Sequence, residues 1–295
     1  MSTGVITRFA PSPTGYLHLG HAYSALFAYE SARRAGGRFL LRIEDIDPVR
    51  CKPEFTESIF EDLKWLGLTW ETPVRRQSEH MGDYAAALDK LRGRGVLYPC
   101  FCTRKEIADE AAAAGHAPHG VDGVIYPGTC RKLSTTERDE KLAEHKVANW
   151  RLDMAKALAI TGALTWHDRA RGMVNAAPEK FGDVVLARKD VPTSYHLSVA
   201  IDDQLQNVSL VTRGEDLFEA THIHRLLQAL LGYGVPEYHH HPLMMDEKGR
   251  RYAKRDQSAT LRAMQIKGND GQKIRSNILN KLEEQLVAVN ISNTK

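Results

Sequence analysis

Long apolar runs are missing from this sequence. No window approaches the ~18 consecutive apolar residues that a membrane-spanning helix needs. The opening M-S-T-G-V-I-T-R has neither a basic leader nor a long apolar core. A cytoplasmic protein that does not enter a membrane is expected. Cysteine is scarce as well: of four in 295 residues, Cys51 is isolated and Cys100, Cys102 and Cys130 cluster, which does not suit a disulfide framework in a chain of this size. Net charge is also small. The 40 basic residues face 37 acidic ones, leaving +3, so the whole molecule is not a polycation that holds nucleic acid indiscriminately. The basic excess is local, because residues 248–295 carry eleven Lys or Arg against four Asp or Glu. Such a run suits an anionic partner or simply a solvated face.

What is present is a globular composition, 42% apolar, enough for one large or two modest domains. The most informative stretch is R-F-A-P-S-P-T-G-Y-L-H-L-G-H, Arg8 to His21. Val5 to Phe9 reads as a short strand, Pro11, Pro13 and Gly15 as a loop, and Leu19, Ala22, Leu26 and Tyr29 as one face of a helix reaching about Arg34. A helix N-terminus fed by such a loop offers unpaired N–H groups and a positive dipole end to a phosphate. His18 and His21 sit at that end, although an ordinary strand-to-helix connection with polar surface histidines has the same spacing.

Downstream, Gly36-Gly37 ends the helix and Arg38 to Ile43 reads as a buried strand. Glu44, Asp45 and Asp47 follow at its carboxyl edge, where parallel α/β sheets bind ligands. Asp47 also suits the cap of the next helix, about Pro53 to Leu66. A further helix is expected from about Tyr84 to Arg94. Asn149 to Asp153 reads as a strand, Gly182 to Asp203 as a strand, a turn and a second apolar run, Val208 to Asp216 as a buried strand and Phe218 to Leu231 as a helix. This alternation predicts a parallel sheet. His239, His240 and His241 on a strand would point to alternate faces, so they cannot readily share one metal ion and are expected to be structural or solvent-facing.

Between these elements, Cys100-x-Cys102 and Tyr126-x-x-x-Cys130 offer three thiolates and a phenolic oxygen. Zinc favours four ligands with thiolates among them. Buried free thiols remain the alternative, and His116 and His119 are rival fourth ligands.

Taken together, R-F-A-P-S-P-T-G-x-L-H-L-G-H, R-I-E-D-I-D, S-Y-H-L-S-V-A-I-D-D and V-T-R-G-E-D-L closely resemble the catalytic core of glutamyl-tRNA synthetases, class I aminoacyl-tRNA synthetases. The match runs in order from about Thr7 to Leu261, and several ordered motifs are far more specific than any one alone. Within that family the chain is most similar to the shortened glutamyl-Q tRNA(Asp) synthetases, both in its Cys100/Cys102/Tyr126/Cys130 cluster and in stopping soon after the catalytic core. The resemblance implies an α/β, Rossmann-like nucleotide-binding parallel sheet with an inserted zinc-containing subdomain, a helical C-terminal extension and no anticodon-binding domain. Its expected divisions are 1–97 for the first half of the catalytic domain, 98–148 for the zinc-binding insertion that starts the connective, acceptor-binding region, 149–235 for the rest of that region and the second half of the catalytic fold, and 236–295 for the mobile ATP loop and helical C-terminal region.

The resemblance also implies roles. His18, Gly20, His21 and Lys254 would bind ATP, with His18, His21 and Lys254 catalytic. Arg8, Phe9, Ala10, Pro11, Ser12, Glu44, Tyr195 and Arg213 would bind L-glutamate, Arg8 at the side-chain carboxylate and Glu44 at the ammonium. A salt bridge of purely structural value is the alternative for Arg213. Cys100, Cys102, Tyr126 and Cys130 would hold one structural Zn2+, and Mg2+ would accompany ATP. The implied activity is RNA-independent formation of glutamyl-adenylate and transfer of glutamate to queuosine at the wobble position of tRNA(Asp), by a monomer.

The family's K-M-S-K-S motif is R-Y-A-K-R here, Arg251 to Arg255, which retains charge and loses a hydroxyl. Two alternatives therefore stay open: a glutamate-activating ligase with another acceptor, such as a carrier protein or a tRNA 3′ end, and a non-catalytic zinc-containing RNA-binding protein. The amphipathic stretch with Ile274, Ile278, Leu282 and Leu286 is expected to pack on the body as a helix.

Overall fold

The computed structural model describes residues 4–113, 119–120, 123–145, 147–244 and 260–291. In chain order the elements begin with β1 (Ile6–Phe9), α1 (Leu19–Arg34), β2 (Arg38–Ile43), α2 (Pro53–Trp65), β3 (Arg75–Arg76), α3 (Met81–Gly93) and β4 (Leu97–Cys100). They continue with α4 (Arg104–Ala113), β5 (His119–Gly120), β6 (Gly123–Val124), α5 (Thr135–His145), β7 (Asn149–Leu152), α6 (Met154–Thr161), β8 (Thr165–Asp168), β9 (Gly172–Asn175) and β10 (Val185–Ala187). The last are α7 (Tyr195–Leu205), β11 (Leu210–Gly214), α8 (Ala220–Leu231), β12 (Glu237–His241), α9 (Leu261–Ile266) and α10 (Gly271–Ile291).

The strands that frame the site are parallel, as the alternation predicts. β1 pairs with β2 and β2 with β3, while β11 pairs with β12 and β12 with β8, all in parallel. The two sets meet where Ser209 donates its N–H to the Ile6 carbonyl at 3.0 Å, beside β1. The connective region departs from the prediction. β7 lies antiparallel between β4 and β10, with α4, the β5–β6 pair and α5 between β4 and β7 in the chain. β8 and β9 likewise form an antiparallel hairpin.

Two further expectations change. α2 starts after Lys52 with no side-chain cap and with proline in its first turn. Asp47 instead accepts from the N–H groups of Val49 and Arg50, both at 3.2 Å, and closes its own turn. The second apolar run before Asp202-Asp203 is the helix α7, started by Ser194, whose side chain accepts from the N–H of Leu197.

Three apolar layers hold this frame. Leu26, Phe27, Leu41, Ile59 and Leu63 pack α1 and α2 on the first sheet, and Leu261, Ile278 and Leu282 bring α9 and α10 onto the same core. α10 therefore docks on the body as its periodicity predicts. Leu88, Leu152, Leu197, Ile223 and Leu227 form a second core under α3, α7 and α8. Ile6, Leu40, Trp166, Val211 and Tyr238 seal the other face of the strands. His239, His240 and His241 are all buried in β12 and none faces solvent. His239 and His241 lie against Phe27 at centroid distances of 4.7 and 5.0 Å, while His240 points to the opposite face.

One glycine fixes how closely the β1 and β2 ends approach. A Cβ on Gly37 would lie 1.9 Å from the Val5 carbonyl oxygen, which accepts the Arg38 N–H at 2.9 Å. Gly37→Ala should force these backbones apart and destabilise the fold by about 1–3 kcal/mol. A chemical-denaturation midpoint unchanged from wild type would refute that reading.

Candidate active site

α1 begins with a cap built from two histidines. The Nδ1 atom of His18 accepts from Gly20 N–H and the Nδ1 of His21 accepts from His18 N–H, both at 3.1 Å. A neutral imidazole that accepts at Nδ1 carries its hydrogen on Nε2, so the cap fixes the tautomer of both rings. The rings lie 3.8 Å apart at the positive end of the helix.

These histidines open onto a cleft of about 780 Å3 at the carboxyl ends of the parallel strands. β1 brings Arg8 and Phe9 to it, the following loop Ala10, Pro11 and Ser12, the end of β2 Glu44, α7 Tyr195 and β11 Arg213, with His18, Gly20 and His21 on the α1 side. Every residue expected at the ATP and glutamate sites that falls among the described residues thus lines one cavity. The loop is pinned by Glu44 N–H to the Pro11 carbonyl and Lys52 N–H to the Pro13 carbonyl, each at 3.1 Å. Lys254 and the rest of R-Y-A-K-R lie outside the described residues. Beyond them Thr260 bridges to His18, and Leu261 N–H donates to the Leu17 carbonyl at 2.8 Å.

Below the floor a network ties Arg8 and Glu44 to Arg42, Asp202 and Asp203, residues with no role assigned from the sequence. Arg8 donates to both carboxylate oxygens of Asp203, at 2.9 and 3.3 Å, and to the Thr212 carbonyl at 3.2 Å. Arg42, wholly buried, donates to the same Asp203 at 2.8 Å and to Glu44 at 3.1 Å. Burial alone would raise the Asp203 carboxyl, but Arg8 and Arg42 hold it below its ordinary range. Burial pushes the Glu44 carboxyl up, against the pull of Arg42 and Arg8. The neighbouring Asp202 accepts from Arg75 at 2.8 Å, Gln77 at 2.7 Å and Tyr84 at 3.1 Å, bracing α7 against β3 and α3.

Arg213 has a different kind of environment. Its guanidinium donates to His240 Nε2 at 3.1 Å, the Tyr195 hydroxyl at 3.3 Å, His224 Nδ1 at 3.2 Å and the Thr221 hydroxyl at 2.5 Å. All four partners are neutral acceptors. Burial and the arginine's own charge keep His224 well below its ordinary range, and burial lowers His240 to about 4. Among the described residues no carboxylate pairs with Arg213, although it is 95% buried (5% exposed). A buried cation ringed by neutral acceptors is electrostatically incomplete and favours an anion from solution. The structural salt bridge weighed as the alternative for Arg213 is not formed among the described residues.

The class I tRNA synthetase (E and Q) catalytic-domain model matches residues 4–285. The chain belongs to this family. It is similar to the glutamyl-Q tRNA(Asp) synthetase of Rhodobacter capsulatus, at 50% identity over 269 residues that cover 90% of this chain and 96% of the relative. It is similar to the protein of the same name from Nitratidesulfovibrio vulgaris, at 42% identity over 88% of this chain and 81% of the relative. A solved glutamate tRNA ligase from Elizabethkingia meningosepticum, in complex with its amino acid, matches with a TM-score of 0.72 and 31% identity over 86% of this chain. The chain spans 52% of that structure, about half its length. The protein is thus a ligase with the class I synthetase catalytic fold, a family that acts on an amino acid, ATP and tRNA. Among the described residues no helix is long and apolar enough to cross a membrane.

Away from the cleft, Cys100, Cys102 and Cys130 present their Sγ atoms within 4.8 Å of one another. The Tyr126 hydroxyl lies 3.4 Å from Cys102 Sγ and accepts from Cys130 N–H at 2.9 Å. Hydrogen bonds from Cys100, Tyr126 and Cys102 draw Cys130 toward the thiolate against its burial, while the Cys130 contact and burial push Cys100 up. The four expected donors converge. His116 and the side chain of His119 lie outside the described residues.

The buried imidazoles set an acid limit on stability. Burial lowers His196, His239 and His240 each to about 4, against 6.5 for an ordinary histidine. Across that window the unfolded chain binds protons that the native state refuses, so stability is full above about pH 6.5 and is lost as pH falls toward 4. Asp62 acts oppositely: burial raises it from 3.8 to about 7, which favours the native state as pH falls. Three imidazoles outweigh one carboxyl. The denaturation midpoint should drop between pH 6.5 and 4, and Asp62→Asn should steepen the drop. A midpoint that holds or rises across the window would contradict this assignment.

Proposed function

We propose that the protein activates L-glutamate with ATP, without RNA, and passes the glutamyl group to the queuosine base at the wobble position of tRNA(Asp). The observation that carries the first step is Arg213, a buried cation with neutral partners in the same cleft as a histidine-capped helix end. Glutamate carries net charge −1 and would neutralise it. Glutamine keeps the α-carboxylate but replaces the side-chain carboxylate with a neutral amide, so it brings one negative charge fewer to the two arginines of the cleft and should be the weaker substrate.

In this reading Arg213 and Tyr195 hold glutamate, Glu44 meets its ammonium, and Arg8 with the loop to Ser12 meets the side-chain carboxylate. Because Arg8 shares Asp203 with Arg42, it contributes directed donors more than unmatched charge. A glutamate carboxylate oxygen attacks the α-phosphorus of ATP, the bond to the bridging oxygen breaks, and pyrophosphate leaves. The Nε2–H groups of His18 and His21 donate to phosphate oxygens as charge builds, and the helix N-terminus adds its dipole. Lys254, outside the described residues, is assigned to pyrophosphate by its place in the motif. Mg2+ bound with ATP would supply further neutralisation of the phosphates. Positioning and charge carry most of such a reaction. A queuosine hydroxyl then attacks the mixed anhydride, forming the ester and releasing AMP. The names of the relatives from Rhodobacter capsulatus and Nitratidesulfovibrio vulgaris support this acceptor.

One structural zinc ion fits the cysteine cluster. Tetrahedral coordination with Zn–S bonds of about 2.3 Å places sulfurs about 3.8 Å apart, and Cys102 Sγ and Cys130 Sγ already lie 3.4 Å apart. Cys100, Cys102, Cys130 and Tyr126 would hold the ion, which would crosslink the connection between β4 and β7.

Purified protein should exchange labelled pyrophosphate into ATP when given glutamate and magnesium without RNA, and glutamine should support exchange at least tenfold more weakly. No exchange with glutamate would refute RNA-independent activation. Labelled glutamate should then reach tRNA(Asp) that contains queuosine and not the unmodified tRNA. Equal labelling of both would exclude the queuosine assignment. Metal analysis should find about one zinc per chain, reduced in Cys102→Ser together with a lower melting temperature. A wild-type protein that carries no zinc when prepared with it would remove the metal from this account.

A further inference from the structure

Behind Arg213, on the side away from the cleft, lies a carboxylate that the proposed reaction does not use. Asp168 ends β8 and is completely buried. Its Oδ2 accepts from His240 Nδ1 at 2.6 Å and from the His240 backbone N–H at 3.3 Å, and its Oδ1 accepts from Ala170 N–H at 2.9 Å. His240 then turns its other ring nitrogen to Arg213 Nε at 3.1 Å. The strand register builds this row. Tyr238 pairs with Asp168 across β12 and β8, and Arg213 pairs with His240 across β11 and β12. Three neighbouring parallel strands thus supply one member each.

We propose that Asp168 and His240 are positioning residues for Arg213, with Asp168 fixing the His240 tautomer that lets the ring accept from the guanidinium. The inference deepens the glutamate reading given above and rests on it. Arg213 Nε–H is a donor and needs an acceptor. An imidazole with its hydrogen on Nε2 would place N–H against N–H, and only the Nδ1–H tautomer offers a lone pair. The Arg213 Nε–H, with the Thr221 hydroxyl 3.2 Å from the same nitrogen, favours that tautomer from one side, and Asp168, accepting at Nδ1, holds it from the other. Asp168 has already accepted its backbone N–H bonds and leaves the Nδ1–H as its remaining strong partner. Trp166, Phe218 and Tyr238 pack around the His240 ring at centroid distances of 5.7, 5.1 and 6.0 Å and exclude water that could replace either partner.

A bidentate contact between an arginine and a carboxylate depends on the angle of the guanidinium plane. Among the described residues the other acceptors of Arg213 are Tyr195, Thr221 and His224, the last held in turn by the neutral ring of His196 at 3.2 Å. His240 is the one held through a buried charge, and it determines which edge of the guanidinium faces the cleft.

The test is the tautomer together with the affinity. In protein labelled with 15N-histidine, the His240 ring, assigned by its loss in His240→Gln, should show the Nδ1–H pattern in the wild type and the Nε2–H pattern or a mixture in Asp168→Asn. In pyrophosphate exchange, Asp168→Asn should raise the KM for glutamate by about 10- to 100-fold, taking the range for loss of the group that orients a metal-bound imidazole, while the KM for ATP stays within twofold. His240→Asn, which cannot titrate, should show the same split and serves if Asp168→Asn folds poorly. An Nε2–H pattern in the wild type, or an unchanged glutamate KM in either folded variant, would overturn the proposal. A wild type that shows the Nδ1–H pattern but no glutamate-dependent exchange would count against the glutamate reading while supporting the Asp168–His240 orientation.

Discussion

The architecture depends on one carboxylate held between two guanidiniums. Asp203, near the end of α7, binds Arg8 from β1 and Arg42 from β2. Removing either arginine, or the aspartate, would leave charge stranded in a medium that solvates it poorly, which costs several kcal/mol. The same contact joins α7 to the first two strands, so the floor of the cleft and the packing of the domain are fixed by a single set of bonds. Arg8 lines the cleft with its position set from below by Asp203. Arg213, on the neighbouring strand, is held among the described residues by uncharged groups. The two arginines look equivalent in the sequence and are not electrostatically equivalent in the fold.

Local elements were largely legible in the sequence. β2 occupies the expected Arg38–Ile43 and α1 ends at the expected Arg34, because Gly36-Gly37 and the apolar spacing act over a few residues. The lining of the cleft was legible through motif resemblance, since those motifs lie at strand ends that the parallel sheet brings together. α7 was harder. Leu197, Val199 and Ile201 alternate as in a strand, while the helix is buried along Leu197–Asp203, and burial on nearly all sides removes the polar face that reveals a helix. The Arg8–Asp203 pair had no local trace, because its partners are 195 residues apart. For the second partner of Asp203 the signal was Arg42, an arginine inside the apolar L-L-R-I of a buried strand, which must find a carboxylate somewhere. Asp168 gave less still, as its partner is known only once the strands are in register.

The three consecutive histidines illustrate how one residue type serves different ends. On β12 their side chains alternate, so His239 and His241 pack as aromatic discs against Phe27, while His240 becomes part of a polar row. Histidine meets both needs because a neutral imidazole is flat, nearly apolar over its faces and able to accept or donate at its edge. Burial keeps all three below their ordinary titration range, so near neutral pH the strand holds uncharged rings.

The histidine cap at the start of α1 bears on how lineages of such proteins diverge. His18 and His21 each spend one ring nitrogen on a helix terminus that would otherwise lose two backbone partners, a loss of about 1 kcal/mol for a typical cap. A descendant that abandoned catalysis would still be selected for those nitrogens, since the helix would fray without them. Retention of the pair across a set of homologues would then record a requirement for folding, and genetic drift at Arg213 would be the more faithful sign that the chemistry had been given up.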